Sequence, residues 1–281
     1  MKSTKARLRF GKAVKTLLAV SLASIFMLPL LWVFSNSLRP GSETFTWLDP
    51  ISWQTFFPAN PNFDNYLALA DTSLGQGILN SLWTTLLTLV FGLALCSGAA
   101  YALAALEFRG RQLLFSVVIF SLLIPFDAIA IPLVSMFKGL GLQNTVAGLI
   151  LPGVANGMAI FLLRTFFLGI PKELVEASRI DGLNWFGVFF RIYLPLSKPA
   201  LVGASLILFL FQWHAYIWPL LIGTGERTLL GPIALANMKS QYAVDFGLVF
   251  AGSVLLSVIP LALILVGQKY FIQSSSTSGI K

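Results

Sequence analysis

The chain of 281 residues is poor in the groups on which most catalysis and metal binding depend: it has one cysteine, one histidine and 11% charged residues. Cys96 lies alone inside an apolar run, which excludes a disulfide framework and a cysteine metal site. With His214 as the sole histidine and no His-Glu-x-x-His pair, a zinc hydrolase has nothing to build on. No Gly-x-x-x-x-Gly-Lys-[Ser/Thr] run is present, so the chain has no phosphate loop to cradle ATP. Soluble domains carry about a quarter charged residues. Here 57% of residues are apolar and mean hydropathy is +0.83, more apolar surface than a soluble chain of this length buries. The medium implied is lipid, and the fold class an all-α polytopic membrane protein.

Six apolar stretches approach the roughly 20 residues a helix needs to cross a bilayer. They are 16–37, 78–105, 112–136, 144–168, 200–222 and 246–268. The first follows Lys2, Lys5, Arg7, Arg9, Lys12 and Lys15, as a signal peptide would. Its apolar part, Leu17 to Phe34, is too long for a signal core and no small-residue cleavage site follows, so a retained anchor is expected.

Basic residues sort by side. With the N-terminus inside, the inner segments hold that tail, Arg109, Arg111, Arg164, Lys172, Arg179, Arg191, Lys198, Lys269 and Lys281, against Arg39, Lys138, Arg227 and Lys239 outside. This bias predicts both termini and the 169–199 loop in the cytoplasm, and it accounts for the net charge of +8 without nucleic acid. The expected divisions are a basic tail (1–15), a six-span domain (16–268) with an external segment (38–77), and a C-tail (269–281). The external segment carries Trp47, Trp53, Phe56, Phe57, Phe63 and Tyr66 among four prolines. An aromatic belt at the membrane surface explains them, and a partner-docking surface does so as well.

The 169–199 loop is the one long charged stretch between spans. Pro171 suits the first helical position and Glu173 the first turn. The pattern runs through Leu174, Glu176, Ala177, Ser178 and Arg179 to Asp181 and Gly182, a residue suited to the position after a C-cap. Leu174, Ala177, Ser178 and Asp181 share a face, and Glu176 is spaced to pair with Arg179. Asn184 is placed to cap a second helix, Trp185 to Tyr193, ending before Pro195. That helix holds Trp185, Phe186, Phe189 and Phe190, the composition of a segment that enters a groove on a partner. A helix lying flat on the bilayer is the alternative, and it leaves the turn at Gly182 unexplained.

Glu176-Ala177-Ser178, Gly182 and then Ile192-Tyr193-Leu194-Pro195 resemble the EAA signature of ABC-importer permeases. From residue 16 onward the chain is similar to the smaller permease subunit of maltose-type carbohydrate ABC importers. Ile131-Pro132-Leu133, Leu140 to Thr145, Gly148 to Pro152, Trp218 to Leu221 and Tyr270 to Gln273 stand where that family has similar strings. Ser178 replaces the usual second alanine, and Gln212-Trp213-His214 stands where Trp-Asn is commoner. The resemblance implies an ATPase-coupling loop of Glu176, Ala177, Ser178, Asp181, Gly182, Trp185, Phe189, Ile192, Leu194 and Pro195. It implies a second, homologous permease subunit, two ATPase subunits or domains, and an extracytoplasmic solute-binding protein. No cofactor is expected on this chain, with ATP and Mg held by the ATPase. The expected place is a prokaryotic inner membrane. Six spans are also few for a secondary transporter built of two repeats.

Polar groups inside spans point to a solute path. Asp127 and His214 each lie about 14 residues into a span, roughly 20 Å from the inner face at a straight helix's rise. At that depth an ionisable group faces a bundle interior or a cavity, either on the path or in a buried hydrogen bond. Gln212, Trp213, Tyr216 and Trp218 complete the candidate set, their rings suited to sugar faces or to a belt. Gly92, Cys96, Ala100 and Ala104 form a small-residue stripe for close helix packing. A carbohydrate importer permease is the leading reading. An importer permease for another solute, such as glycerol phosphate, and a membrane channel or scaffold stand as alternatives.

Overall fold

The computed structural model describes residues 2–238 and 244–277, with side chains from 11 to 238 and from 244 to 267. Lys239 and Lys281 of the charge count lie outside the described residues. The described residues are helical, with one isolated bridge between Leu48 and Ile51 in place of any strand. The chain divides into two compact units, one of residues 1–72 with 235–256 and one of 73–234 with 257–281.

In the first unit, α1 (Lys2–Ser37) is one long helix whose apolar side chains from Val14 to Leu31 are bare, as a helix facing lipid requires. Its end is tied down by α2 (Asp64–Ala70): Asn65 Nδ2 donates to the carbonyls of Ser37 (2.9 Å) and Arg39 (2.6 Å). Arg39 is buried and donates to Ser35 Oγ and the Gln54 carbonyl. Burial pushes its guanidinium below its ordinary pKa, and Glu43 opposes that shift. The external aromatics divide: Trp53, Phe57 and Phe63 are exposed, whereas Trp47, Phe56 and Tyr66 are half-buried.

The second unit is built on α3 (Ser73–Ala105), after which come α4 (Arg111–Leu123), α5 (Phe126–Gly139), α6 (Val146–Val154) and α7 (Gly157–Leu168). The helices α8 (Lys172–Ile180), α9 (Trp185–Val188), a π-turn over Phe189–Tyr193 and α10 (Leu194–Leu196) follow. Last are α11 (Lys198–Trp213), α12 (Ile217–Ile222), α13 (Gly231–Asn237) and α14 (Phe246–Thr277), the last two reaching into both units.

Helix α3 packs against α6, α7 and α11. The expected small-residue stripe makes this possible. Cys96 and Ala100 are fully buried, and a Cβ at Gly92 would press on Leu208 of α11. Cys96 is more than a packer, because its Sγ donates to the Val154 (3.4 Å) and Asn156 (3.6 Å) carbonyls where α6 gives way to α7.

Among the described residues, four stretches are long and apolar enough to cross a membrane: 11–37, 73–105, 146–168 and 246–267. Two bent pairs bring the number to six if each counts as one span. The straight span expected over 112–136 is broken at Ile124-Pro125, and α4 and α5 diverge by 104°. Pro125 removes a ladder donor and holds the residue before it extended, with ψ 115° at Ile124. The 200–222 span is likewise interrupted at 214–216, and α11 meets the preceding helical segment at 84°. The straight-rise depth assigned to Asp127 therefore does not hold beyond the Pro125 bend.

Candidate functional site

Two regions of the second unit concentrate the candidate residues. The first is the helical hairpin 172–196. Pro171 is the N-cap of α8 rather than its first residue, with ψ 132°. After Ile180 the chain reverses at Gly182, whose φ is +88°. There the Gly182 and Leu183 amides donate to the Arg179 and Ser178 carbonyls, both at 3.1 Å, the paired closure of a Schellman motif. Asn184 Oδ1 accepts from the Gly187 amide at 2.8 Å and starts α9.

Beyond Val188 the structure departs from expectation. The helix does not end before Pro195 but widens into a π-turn, with the Leu194 amide bonded to the Phe189 carbonyl, and runs on to Leu196. One extra residue in the turn relaxes the spacing at the proline, which has no amide to contribute. The Glu176–Arg179 pairing is also replaced. The Arg179 guanidinium lies over the Trp185 ring (4.6 Å) and donates to the Leu183 carbonyl (2.8 Å), while Glu176 points bare to the outside. Stacking keeps the guanidinium's donors free for the turn, which a carboxylate contact would not.

The hairpin has two chemically distinct faces. Val175 and Ser178, not the expected set of Leu174, Ala177, Ser178 and Asp181, form the covered side of α8. Val188 and Tyr193 are buried against α3 and α7, Tyr193 meeting the rings of Tyr101 (4.8 Å) and Phe167 (5.3 Å). Phe189 lies 4.9 Å from Tyr101, whose hydroxyl donates to the Trp185 carbonyl at 2.9 Å. Ile192 and Leu194 are half-buried, and Pro195 is exposed. The outer side carries Ile180, Phe186 and Phe190, exposed to 86%, 75% and 60%. Of the four aromatics, then, Phe189 faces the bundle, while Trp185, Phe186 and Phe190 stay exposed.

The second region is a cavity of about 290 Å³ at the helix breaks. Asp127 enters it from the first turn of α5, Gln212 from the end of α11, and His214 and Tyr216 from the segment before α12. Phe126, Pro152, Gly153 and Phe211 supply walls. Asp127, His214 and Tyr216 are exposed to it, whereas Gln212 is 3% exposed and its Nε2 has no hydrogen-bond partner.

Two expected members play other parts. Trp213 does not line the cavity; it is buried and stacks on Phe209 at 5.5 Å, 14° between planes. Trp218 touches the cavity but is 5% exposed and locked edge-on between Phe126 and Phe137, with Nε1 donating to the Gly148 carbonyl at 2.9 Å. With 5% of its surface exposed the indole has no free face for a sugar, so Trp218 is a keystone of the fold. Its partner Gly148 has to be glycine, because a Cβ there would collide with the Leu142 carbonyl oxygen.

Asn144 was not singled out from the sequence. At φ 55° its Oδ1 accepts from the amides of Thr224 (2.7 Å) and Gly225 (3.0 Å), clamping the α5–α6 turn to the loop after α12. The string Leu140-Gly141-Leu142-Gln143-Asn144-Thr145 held the signal, since asparagine in a turn is, after glycine, the residue that tolerates a left-handed backbone.

Comparison with known proteins places this architecture. Residues 94–273 match the family described as binding-protein-dependent transport system inner membrane component. The chain is 34% identical over 264 residues to an arabinooligosaccharides transport system permease protein of Halalkalibacterium halodurans, covering 92% of this chain and 93% of that one. To the trehalose transport system permease protein of Mycobacterium tuberculosis it is 31% identical, with 91% and 92% covered. A chain of a bacterial ABC transporter that imports the acidic polysaccharide alginate superposes with a TM-score of 0.81 at 25% identity, over 94% of this chain and 97% of that one.

Proposed function

Since the chain belongs to the family of binding-protein-dependent transport system inner membrane components, we propose that it is one of two permease subunits of an ATP-driven importer for a sugar, oligosaccharide or polyol. It is a transport subunit and not an enzyme. Relatives named for arabinooligosaccharides and trehalose support the carbohydrate class. The alginate importer shows that the same architecture serves acidic sugars too.

One observation carries the mechanism. The hairpin is fixed on its inner face by Val188, Phe189 and Tyr193 and bare on its outer face at Ile180, Phe186 and Phe190. In this reading the bare face enters a groove on an ATPase subunit, and closure of the ATPase pair, with its ATP and Mg, moves the hairpin. Because Tyr193 and Val188 are packed into α3 and α7, that displacement is passed to the helices around the cavity. Both termini and the hairpin face the cytoplasm, as the basic bias requires. A solute-binding protein delivers from the opposite side, and a homologous permease completes the path with Asp127, Gln212, His214 and Tyr216 on this chain's wall.

The test is purification of the tagged chain in mild detergent from a cell expressing the neighbouring transport genes. A second permease and two ATPase copies are expected, with ATP hydrolysis rising when loaded binding protein is added. A chain that purifies without an ATPase, or whose ATPase ignores the binding protein, overturns the proposal.

A further inference from the structure

The cavity is chemically one-sided. Its deepest polar group, Gln212, presents an Nε2 that is buried without an acceptor. Buried donors are nearly always paired, so an orphan donor on a residue that lines a cavity marks a place where something else brings the acceptor. His214 Nδ1 lies 3.1 Å from the Leu210 carbonyl. A carbonyl only accepts, so Nδ1 carries the proton in the neutral ring and Nε2 is left as an acceptor. Asp127 adds a carboxylate, and no lysine or arginine among the described residues lines the cavity to neutralise it. Phe126 and Phe211 give the flat apolar walls on which the C–H faces of a sugar ring rest.

We propose that this cavity is a subsite for uncharged, hydroxyl-rich solutes, and that Asp127 bars anionic ones; this rests on the translocation reading above. Solute hydroxyls donate to the Asp127 carboxylate and His214 Nε2, while Gln212 Nε2 donates to a ring or hydroxyl oxygen. A uronate or phosphate at the same place meets a negative charge that no described basic residue of the cavity offsets. Selectivity of this kind works by repelling the wrong solute as much as by holding the right one. The charge filter is a property of this subunit, downstream of any choice made by a binding protein.

The test uses the assembled complex in nanodiscs, with Cys96→Ser removing the native thiol and Ala215→Cys placing a new one between His214 and Tyr216. A cationic and an anionic methanethiosulfonate of similar size are compared. Asp127→Asn should lower the cation-to-anion rate ratio about sixfold, the Coulomb effect of one charge seen across roughly 8 Å of water. A neutral trisaccharide should protect the thiol, and a uronic-acid trisaccharide should not. Gln212→Met, close in volume, should weaken the neutral protection about tenfold with the labelling rate intact.

A thiol unreactive in every nucleotide state overturns the translocation reading itself. A reactive thiol whose charge ratio ignores Asp127→Asn, or which the uronate protects equally, overturns the filter alone. Neutral protection that survives Gln212→Met assigns that donor to ordered water and overturns the subsite.

Discussion

The hairpin and the cavity sit in the same unit, yet they are held together in opposite ways. The turn and caps of the hairpin close over a few residues: Gly182 and Leu183 onto Arg179 and Ser178, Asn184 onto Gly187, Arg179 onto Trp185. The cavity is assembled from groups that are remote in sequence, with Asp127, Gly153 and Gln212 brought together and Trp218 braced on Gly148 and Phe137. A locally closed device is robust and repeats as a recognisable string. A device built from long-range contacts is free to vary, which suits the part of a transporter that meets different solutes.

The largest expected effect tests the long-range side. Trp218→Ala removes a buried indole and should cost about 3–5 kcal/mol, while Trp218→Phe, which keeps the packing and loses the hydrogen bond, should cost about 1 kcal/mol. Thermal unfolding of the complex measures both, and a small loss for Trp218→Ala would show that the cavity does not rest on this keystone.

Next comes a contrast within the hairpin. Phe189→Ala, on the covered face, should destabilise the chain by about 2 kcal/mol. Phe186→Ala, on the bare face, should leave stability within about 0.5 kcal/mol and yet reduce ATPase recovery about tenfold, as loss of an interface anchor does. Equal behaviour of the two would erase the distinction between faces.

Gly182→Val follows. Nothing lies within 4 Å of a Cβ at this position, so the penalty is backbone strain at φ +88° alone, roughly 1–2 kcal/mol. Membrane levels should hold while ATP hydrolysis uncouples from uptake, with Gly182→Asn nearest to wild type because asparagine tolerates that backbone best. Normal uptake by Gly182→Val would mean the turn need not be rigid.

The smallest effect is that of Glu176→Lys. The carboxylate is exposed and pairs with none of the described residues, so folding should be unchanged. Weakened ATPase docking of about 0–1 kcal/mol is expected, shrinking as salt rises. Undiminished docking at low salt would leave Glu176 without a role at the interface.

The two regions also differ in how far they could be read in advance. The turn at Gly182 and the cap at Asn184 were legible because glycine and asparagine declare their backbone geometry one residue at a time. The π-turn was not, since Pro195 signals a helix end in every local rule and only the packing of Val188 and Tyr193 on α3 and α7 carries the helix past it. The Glu176–Arg179 spacing suggested an ion pair, but the aromatic ring of Trp185 offered the guanidinium a partner that leaves its donors free for the turn.

At the cavity, hydropathy revealed apolar stretches and a few polar residues inside them but not where the helices break. Asp127, Gln212, His214 and Tyr216 do share one cavity, whereas Trp213 turns away into a stack and Trp218 is spent on packing.

What the sequence alone determined is the medium, the helical class, the basic asymmetry and the capped hairpin, because each follows from composition or from interactions within one or two helical turns. The tertiary structure decided which aromatic faces inward and which polar groups meet. Those outcomes depend on contacts between residues far apart in the chain, such as Tyr101 and Tyr193, which the sequence order does not display and only the packed bundle brings within a few ångströms.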